Sequence, residues 1–514
     1  MNGAEALIRT LIASEVDTCF ANPGTSEMHF VSALDRVAGM RCVLGLAETV
    51  VTGCADGYAR MAGRPAATLL HCGPGFANGI ANLHNARRAF TPMVNIVGDH
   101  ATFHRPFDAP LTADTEGLAR AVSHWTRTSA SVDQVAADGA AAVHAARSAP
   151  GQIATLILPA DTAWSEGAVP AAPLPPQGRT AVLPETLDLV ARVLRSREPA
   201  LLLLAGQALT EAGLQAAQRV AVRSGAVVRT ATQVGRMARG RGRAPIDRLP
   251  YPVDAAVKVL SGFRHVILVG AKPPTGFFGY PGKPSSLAPP DASVHVLARP
   301  EQDAVGALEW LAETLGAPKD VTTAPAGPEP ELVRGAFSPE AFAKVMGVLL
   351  PDHCIVAEDG VTSGRALFPA TMDAPPHDWL QVTGGAIGHA FPCATGAAIA
   401  CPDRKVVCFQ ADGAGMYSLQ ALWTQARERL DVVNVVFANG QYRILHGELA
   451  AVGAQAGRAS NDLFDLTRPT LDWVKLSEGM GVEAARVETL EAFADVFQAA
   501  VRQRGPRLIE FRID

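Results

Sequence analysis

Cysteine pairs are missing from this chain. Its eight cysteines (19, 42, 54, 72, 354, 393, 401 and 408) are scattered with no CxxC spacing, which excludes a zinc ribbon or a disulfide framework and reads as reduced, mostly buried thiols. Long apolar runs are absent too: none approaches the ~20 residues that cross a bilayer. No basic stripe accompanies the formal charge of −5, so nothing competes with counterions for a nucleic acid. The opening residues, Met1–Asp17, lack the basic and long apolar segments of a signal peptide, and the expected location is the cytoplasm. Low-complexity tracts and short-period repeats are also lacking. What remains is a 514-residue chain with 48% hydrophobic and 18% charged residues, the composition of a well-packed enzyme too long for one core.

Two stretches rich in Pro, Ala and Gly, 167–182 and about 320–335, read as linkers. They divide the chain into pieces 1–166, 183–320 and 335–514. Within each piece short Val/Ile/Leu runs alternate with amphipathic ones. Ala67–Leu70, Met93–Val97, Ile153–Leu158, Leu201–Ala205, His265–Val269, Lys405–Phe409 and Val432–Phe437 predict strands buried on both faces. Glu5–Ile12 and Leu183–Arg195 predict helices between them. The expected fold is α/β, with three doubly wound parallel-sheet domains and ligands beyond the carboxyl ends of strands.

Chemistry-bearing residues fall at such junctions. After Val406–Phe409 comes Asp412-Gly413-Ala414-Gly415, and after Val432–Phe437 comes Asn439-Gly440-Gln441. An aspartate carboxylate, an Asn439 side-chain oxygen and the Gln441 carbonyl are hard donors suited to Mg²⁺, which takes few protein ligands and shares phosphate oxygens. The small residues Gly413 and Ala414 let backbone N–H groups approach a phosphate. Alone, an Asp-Gly step is more often a plain turn. Glu48 sits where the Cys42–Leu46 run gives way to a helix, and alone it is more often a carboxylate complementing the helix dipole.

Together these residues are specific. The order Ala47-Glu48-Thr49, Ala55-Asp56-Gly57-Tyr58-Ala59-Arg60 and Gly73-Pro74-Gly75-Phe76-Ala77-Asn78, with Ala411-Asp412-Gly413 and Ala438-Asn439 later, resembles the thiamine-diphosphate (ThDP) decarboxylase and acetolactate-synthase superfamily over nearly the whole chain. Two positions depart from its usual GDG and NN triplets: Ala411 and Ala438. The resemblance implies pyrimidine-binding, middle and diphosphate-binding domains, with ThDP and Mg²⁺ as cofactors. It also implies a homodimer or homotetramer, with sites between the first domain of one subunit and the third of another. It gives Glu48 the aminopyrimidine N1′, and assigns Mg²⁺ to Asp412, Asn439 and Gln441. Ile387, within Thr383–His389, takes the place of the apolar residue beneath the cofactor. Pro23, Gly24, Gly73, Asn78, Gly385, Gly413, Ala414 and Tyr442 fall at cofactor-binding positions. Glu358–Ser363 matches a diphosphate-touching loop less clearly.

Within the superfamily the pattern is similar to benzoylformate decarboxylase. Asn22-Pro23-Gly24-Thr25-Ser26-Glu27 resembles its substrate loop, which puts Thr25 near a substrate carboxylate, and His71 matches its first catalytic histidine. The second histidine of that enzyme has no counterpart in Lys272–Tyr280. His100, His389, Leu445 and His446 form a second tier of pocket candidates, and residues 446–465 read as a lid. The expected substrate is a small-molecule 2-oxo acid, either decarboxylated to an aldehyde or joined to an acceptor as a 2-hydroxy ketone. Acetolactate synthesis from pyruvate and a non-catalytic ThDP-binding role are the alternatives. Gly98-Asp99-His100, where acetolactate synthases carry a glutamine, makes FAD an unexpected cofactor. A nucleotide-dependent oxidoreductase would need a GxGxxG fingerprint, and none stands out.

Overall fold

The computed structural model describes residues 1–321 and 332–513. Part of the second presumed linker, 322–331, therefore lies outside the described residues. Residues 167–182 run without helix or strand between the first two sheets.

Apolar runs form the centre of the first sheet, with more polar strands at its edges. It is built from β1 (Thr18–Asn22), β2 (Arg41–Leu44), β3 (Ala66–Leu70), β4 (Met93–Asp99), β5 (Trp125–Thr128) and β6 (Ile153–Pro159), all parallel, in the order β2-β1-β3-β4-β6-β5. The second holds β7 (Ala200–Leu204), β8 (Val227–Thr230), β10 (His265–Val269) and β11 (Ser293–Ala298), in the order β11-β10-β7-β8. The strand between them in sequence, β9 (Arg236–Arg239), leaves that sheet. It pairs antiparallel with β13 at the edge of the third sheet, so the middle piece crosses the division drawn from the linkers. Packing explains the crossing: the buried Arg239 guanidinium lies 3.5 Å from the Phe368 ring centroid and donates to the Ile246 carbonyl at 3.2 Å.

The third sheet adds β12 (Ile355–Asp359), β13 (His377–Gln381), β14 (Val406–Ala411), β15 (Val432–Ala438), β16 (Glu483–Val487) and β17 (Arg507–Arg512), in the order β16-β17-β15-β14-β12-β13-β9. In each sheet the winding reverses at a switch point: between β1 and β3, between β7 and β10, and between β12 and β14. In open parallel sheets the crevice at such a reversal is where ligands bind.

The first and third units share a core. Helix Glu48–Ala62 lies along helix Ala390–Ala400, and glycine makes this possible: a Cβ on Gly57 or Gly396 would strike the Cys393 or Cys54 carbonyl. Beside them Asp56 pairs with Arg60 at 2.6 Å and with His389 Nε2 at 2.7 Å, all three buried. Burial alone would raise the Asp56 carboxyl, but Arg60 and His389 bring it down to about 2. Burial lowers His389, and its Nε2–H donates to the Asp56 carboxylate. Among the described residues no helix is long and apolar enough to cross a membrane.

Candidate active site

The reversal in the first sheet brings the ends of β1 and β3 together, with Asn22 and Leu70 as register partners. Residues 22–27 leave β1 there and His71 leaves β3. The two segments interlock. A Cβ on Gly24 would collide with the His71 ring. Buried Glu27 accepts from Gly24 N at 2.7 Å through Oε2, and the same oxygen lies 3.0 Å from His71 Nδ1. Ser26 Oγ sits between them, bonded to Glu27, 3.0 Å from His71 Nδ1 and 3.2 Å from Cys72 Sγ. The next helix, Cys72–Arg88, opens on Cys72 at φ +50°, a left-handed backbone that a non-glycine residue rarely adopts outside constrained sites. Burial pushes the Cys72 thiol up to about 11. Thr25 is exposed at the start of a short 3₁₀ turn, Thr25–Glu27, and Pro23 is half-buried.

Glu48 stands one turn away as the first residue of its helix, half-buried. Its Oε2 accepts from Asn78 Nδ2 at 3.2 Å, while Oε1 takes no hydrogen bond among the described residues. Gly75 separates it from His71: a Cβ there would lie 3.1 Å from Glu48 Oε1 and 3.2 Å from His71 Cβ. Glu48, Asn78, His71 and the 22–27 loop therefore form one cluster. Gly73 is buried against Ala113.

The third-sheet reversal organises a second cluster. Asp359 and Gln410 are register partners at the ends of β12 and β14. Asp359 Oδ2 accepts from Gly388 N at 2.7 Å, His389 N at 3.1 Å and Gln410 Nε2 at 3.1 Å. Its Oδ1 is buried without a partner among the described residues, and burial raises the carboxyl to about 7. Two residues past Gln410, Asp412 accepts from Gly413 N at 2.8 Å and Gly440 N at 2.7 Å. Asn439 Oδ1 accepts from Gln441 N at 3.0 Å, and Gln441 faces Asp465 in an isolated bridge. Tyr442 packs so closely over Gly413 that a Cβ there would meet its ring; Ala414 is buried beside it.

These residues fit a divalent cation and a diphosphate. Burial raises the Asp412 carboxyl despite its backbone donors, and no ion pair reaches it among the described residues. A desolvated carboxylate facing small residues is the setting that a bound cation completes.

Ile387 is presented on a loop with left-handed glycines on either side, Gly385 at φ +76° and Gly388 at φ +86°. Buried Asn85, from the first unit, pins it. Asn85 Oδ1 accepts from Gly384 N at 3.1 Å and Ala386 N at 3.2 Å, and Nδ2 donates to Ala386 O at 2.8 Å. Asp359 clamps the other end of the loop. Phe277 covers Gly385, where a Cβ would come within 2.6 Å of its ring; an aromatic ring thus comes from the stretch that lacks a histidine.

The second-tier residues scatter. His389 belongs to the Asp56 pair. His100 follows β4 with Nε2 buried and, among the described residues, unpartnered. Leu445 is exposed, and His446 packs edge-on to Phe464 at 5.0 Å. Instead of an irregular lid, the segment after Tyr442 contains two helices, Arg443–Ala451 and Arg458–Phe464. Glu448 on the first is gripped by Tyr251 at 3.1 Å and Tyr280 at 2.7 Å from the middle unit. The reversal between β7 and β10 opens on a cleft of about 1380 Å³ that extends to Gly384. Sequence reasoning did not assign roles to Glu27, Asn85 or Asp359. Their positions follow from strand adjacency rather than local spacing, although Glu27 ends a motif already singled out.

Two family profiles match the chain. "Thiamine pyrophosphate enzyme, N-terminal TPP binding domain" covers residues 1–123, and "Thiamine pyrophosphate enzyme, C-terminal TPP binding domain" covers 364–511. The chain belongs to the ThDP enzyme family. A Mycobacterium tuberculosis protein provisionally named acetolactate synthase large subunit IlvX is 51% identical over 512 residues, 99% of this chain and 98% of that one. Benzoylformate decarboxylase of Pseudomonas aeruginosa is 28% identical over 528 residues, 96% and 95% of the two chains. A Rhodococcus jostii ThDP-dependent 4-hydroxybenzoylformate decarboxylase shares the fold, with a TM-score of 0.87, 24% identity and coverage of 100% and 99%.

Proposed function

We propose that this ThDP enzyme decarboxylates a 2-oxo acid with Mg²⁺, releasing an aldehyde, and that a carbonyl acceptor diverts the same site to a 2-hydroxy ketone. The observation that carries this reading is His71, fixed at Nδ1 by buried Glu27 beside the Asn22–Glu27 loop. An imidazole held at one nitrogen offers the other, Nε2, for proton transfer. When bound, ThDP supplies the electron sink for loss of CO₂.

The chain's own residues do the rest. Asp412, Asn439 and the Gln441 carbonyl hold Mg²⁺, and the N–H groups around Gly413 and Ala414 take the diphosphate. Glu48 binds the aminopyrimidine with the carboxylate that Asn78 orients. Ile387, braced by Asn85 and Asp359, supports the cofactor from below. Thr25 receives the substrate carboxylate, and His71 delivers a proton to the carbon that has lost CO₂. As the family resemblance implies, a homodimer or homotetramer completes the site between subunits. Exposed Leu46, Phe103 and Phe107 on the first unit and Tyr417, Leu445 and Leu463 on the third offer apolar surface for that assembly. Eight unpaired thiols suit the reducing cytoplasm.

The 51% identical relative favours a second reading, acetolactate synthesis. The test is CO₂ release from aliphatic and aromatic 2-oxo acids with ThDP and Mg²⁺, beside Glu48→Gln. Release that collapses in the variant, with an aldehyde product, supports the first reading. Acetolactate from pyruvate supports the second. No release from any acid, with ThDP demonstrably bound, sinks both and leaves a binding role. The absence of flavin absorbance from the active protein would show that FAD takes no part.

A further inference from the structure

We infer that Cys42 and Cys19 form a peroxide-sensitive dithiol that closes to a disulfide at the edge of the first sheet. The two are register partners on parallel β2 and β1. Neighbouring strands lie ~4.8 Å apart, inside the ~4.4–6.8 Å Cα separation that a disulfide spans. Register partners project from the same face of a sheet. β2 is the edge strand, with Cys42 exposed and Cys19 buried behind it.

The two thiols differ in access. Cys42 is the partner that solvent reaches, and Cys19 lies buried behind it. The neighbouring Cys19 thiol also lowers Cys42, against a smaller opposing effect of burial, and oxidation follows thiolate character and exposure. The other cysteines contrast with Cys42. Cys54, Cys354, Cys393 and Cys408 are buried, and burial pushes their thiols up. Cys401 is half-buried and raised in the same way.

A hydroperoxide supplies the oxidant. The Cys42 thiolate attacks one peroxide oxygen, the O–O bond breaks, and Cys42 becomes a sulfenic acid as hydroxide leaves. Cys19 sulfur then displaces the sulfenic oxygen from Cys42, and its own proton leaves with that oxygen as water. In sum two thiols lose two electrons and one hydrogen peroxide becomes two waters. The crosslink would tie β2 six residues before Glu48. Any effect on turnover rests on the proposed role of Glu48; the dithiol itself does not.

The experiment treats the full-length protein with near-stoichiometric hydrogen peroxide at neutral pH, alkylates the remaining thiols and maps peptides by mass. We expect a Cys19–Cys42 linked peptide that dithiothreitol reverses, with Cys42 consumed about tenfold or more faster than Cys401. Cys19→Ser should leave Cys42 as a sulfenic acid trapped by dimedone. Cys42→Ser, an exposed change that spares the fold, should leave Cys19 reduced. Oxidation of wild-type Cys42 without a link to Cys19, or consumption of Cys401 at the same rate, overturns the inference.

Discussion

His71 Nδ1 lies 3.0 Å from Glu27 Oε2, and that carboxylate oxygen also accepts from Gly24 N at 2.7 Å. One buried side chain thus sets both the shape of the 22–27 loop and the orientation of the imidazole. Glu27→Gln keeps an oxygen for Gly24 but removes the charge facing Nδ1. CO₂ release should fall about 100-fold, the scale of a mispositioned acid–base group. His71→Ala should fall comparably, and the double variant should be little worse than the poorer single, because the pair acts as a unit. Multiplying losses in a steady-state assay would show that the two residues act independently.

Among the described residues Glu48 has one oxygen bonded to Asn78 and one without a hydrogen-bond partner. Glu48→Gln preserves the Asn78 contact and removes the charge. Turnover should drop by about 1000-fold, while ThDP affinity, measured by calorimetry, changes less than tenfold. Asn78→Ala leaves the charge and frees the carboxylate, so its loss should be smaller, near tenfold. Equal losses in the two variants would mean that Asn78 itself contacts the reacting groups.

Metal binding at Asp412 should depend on pH. A carboxylate must be ionised to bind Mg²⁺, and burial raises this one. Protons therefore compete at a higher pH than they would for an ordinary aspartate. Mg²⁺-dependent ThDP affinity should weaken as pH falls, beginning above the normal carboxylate range. Asp412→Asn should abolish the Mg²⁺ dependence. Titrations of cofactor affinity with and without Mg²⁺ across pH 5–8 check both statements.

Much of this was legible in the sequence, because strands buried on both faces must be apolar throughout. Met93–Val97, Ile153–Leu158 and Val432–Phe437 all fall inside observed strands. β5 (Trp125–Thr128) and β9 (Arg236–Arg239) are among the strands the apolar runs did not pick out: both carry charge, and Arg236 of β9 finds its carboxylate, Asp378, in another unit. The same logic divides the site. Glu48 and Asp412 announce themselves by local motifs at strand ends. The Glu27–His71 contact spans 44 residues and exists because β1 neighbours β3. The grip of Asn85 on the 383–386 loop spans about 300 residues and depends on one unit docking against another. Spacing within a motif is readable; adjacency created by the winding of a sheet is not.

Asp359 offers a test of that adjacency through stability. Its Oδ2 holds the loop that presents Ile387, while Oδ1 is buried and unpartnered among the described residues. Burial raises the folded-state carboxyl to about 7, against ~3.9 in an unfolded chain. The folded state therefore holds the proton more tightly, and this group's contribution to stability is complete below ~3.9 and lost as pH rises through about 7. Asp359→Asn keeps an oxygen for Gly388 N and His389 N but cannot ionise. In the cofactor-free protein its melting temperature should gain on wild type as pH rises from 5 to 8. The effect should come from the wild type losing stability, not from the variant improving. A difference that stays flat across that range would show that Asp359 is ionised throughout, stabilised by its three donors.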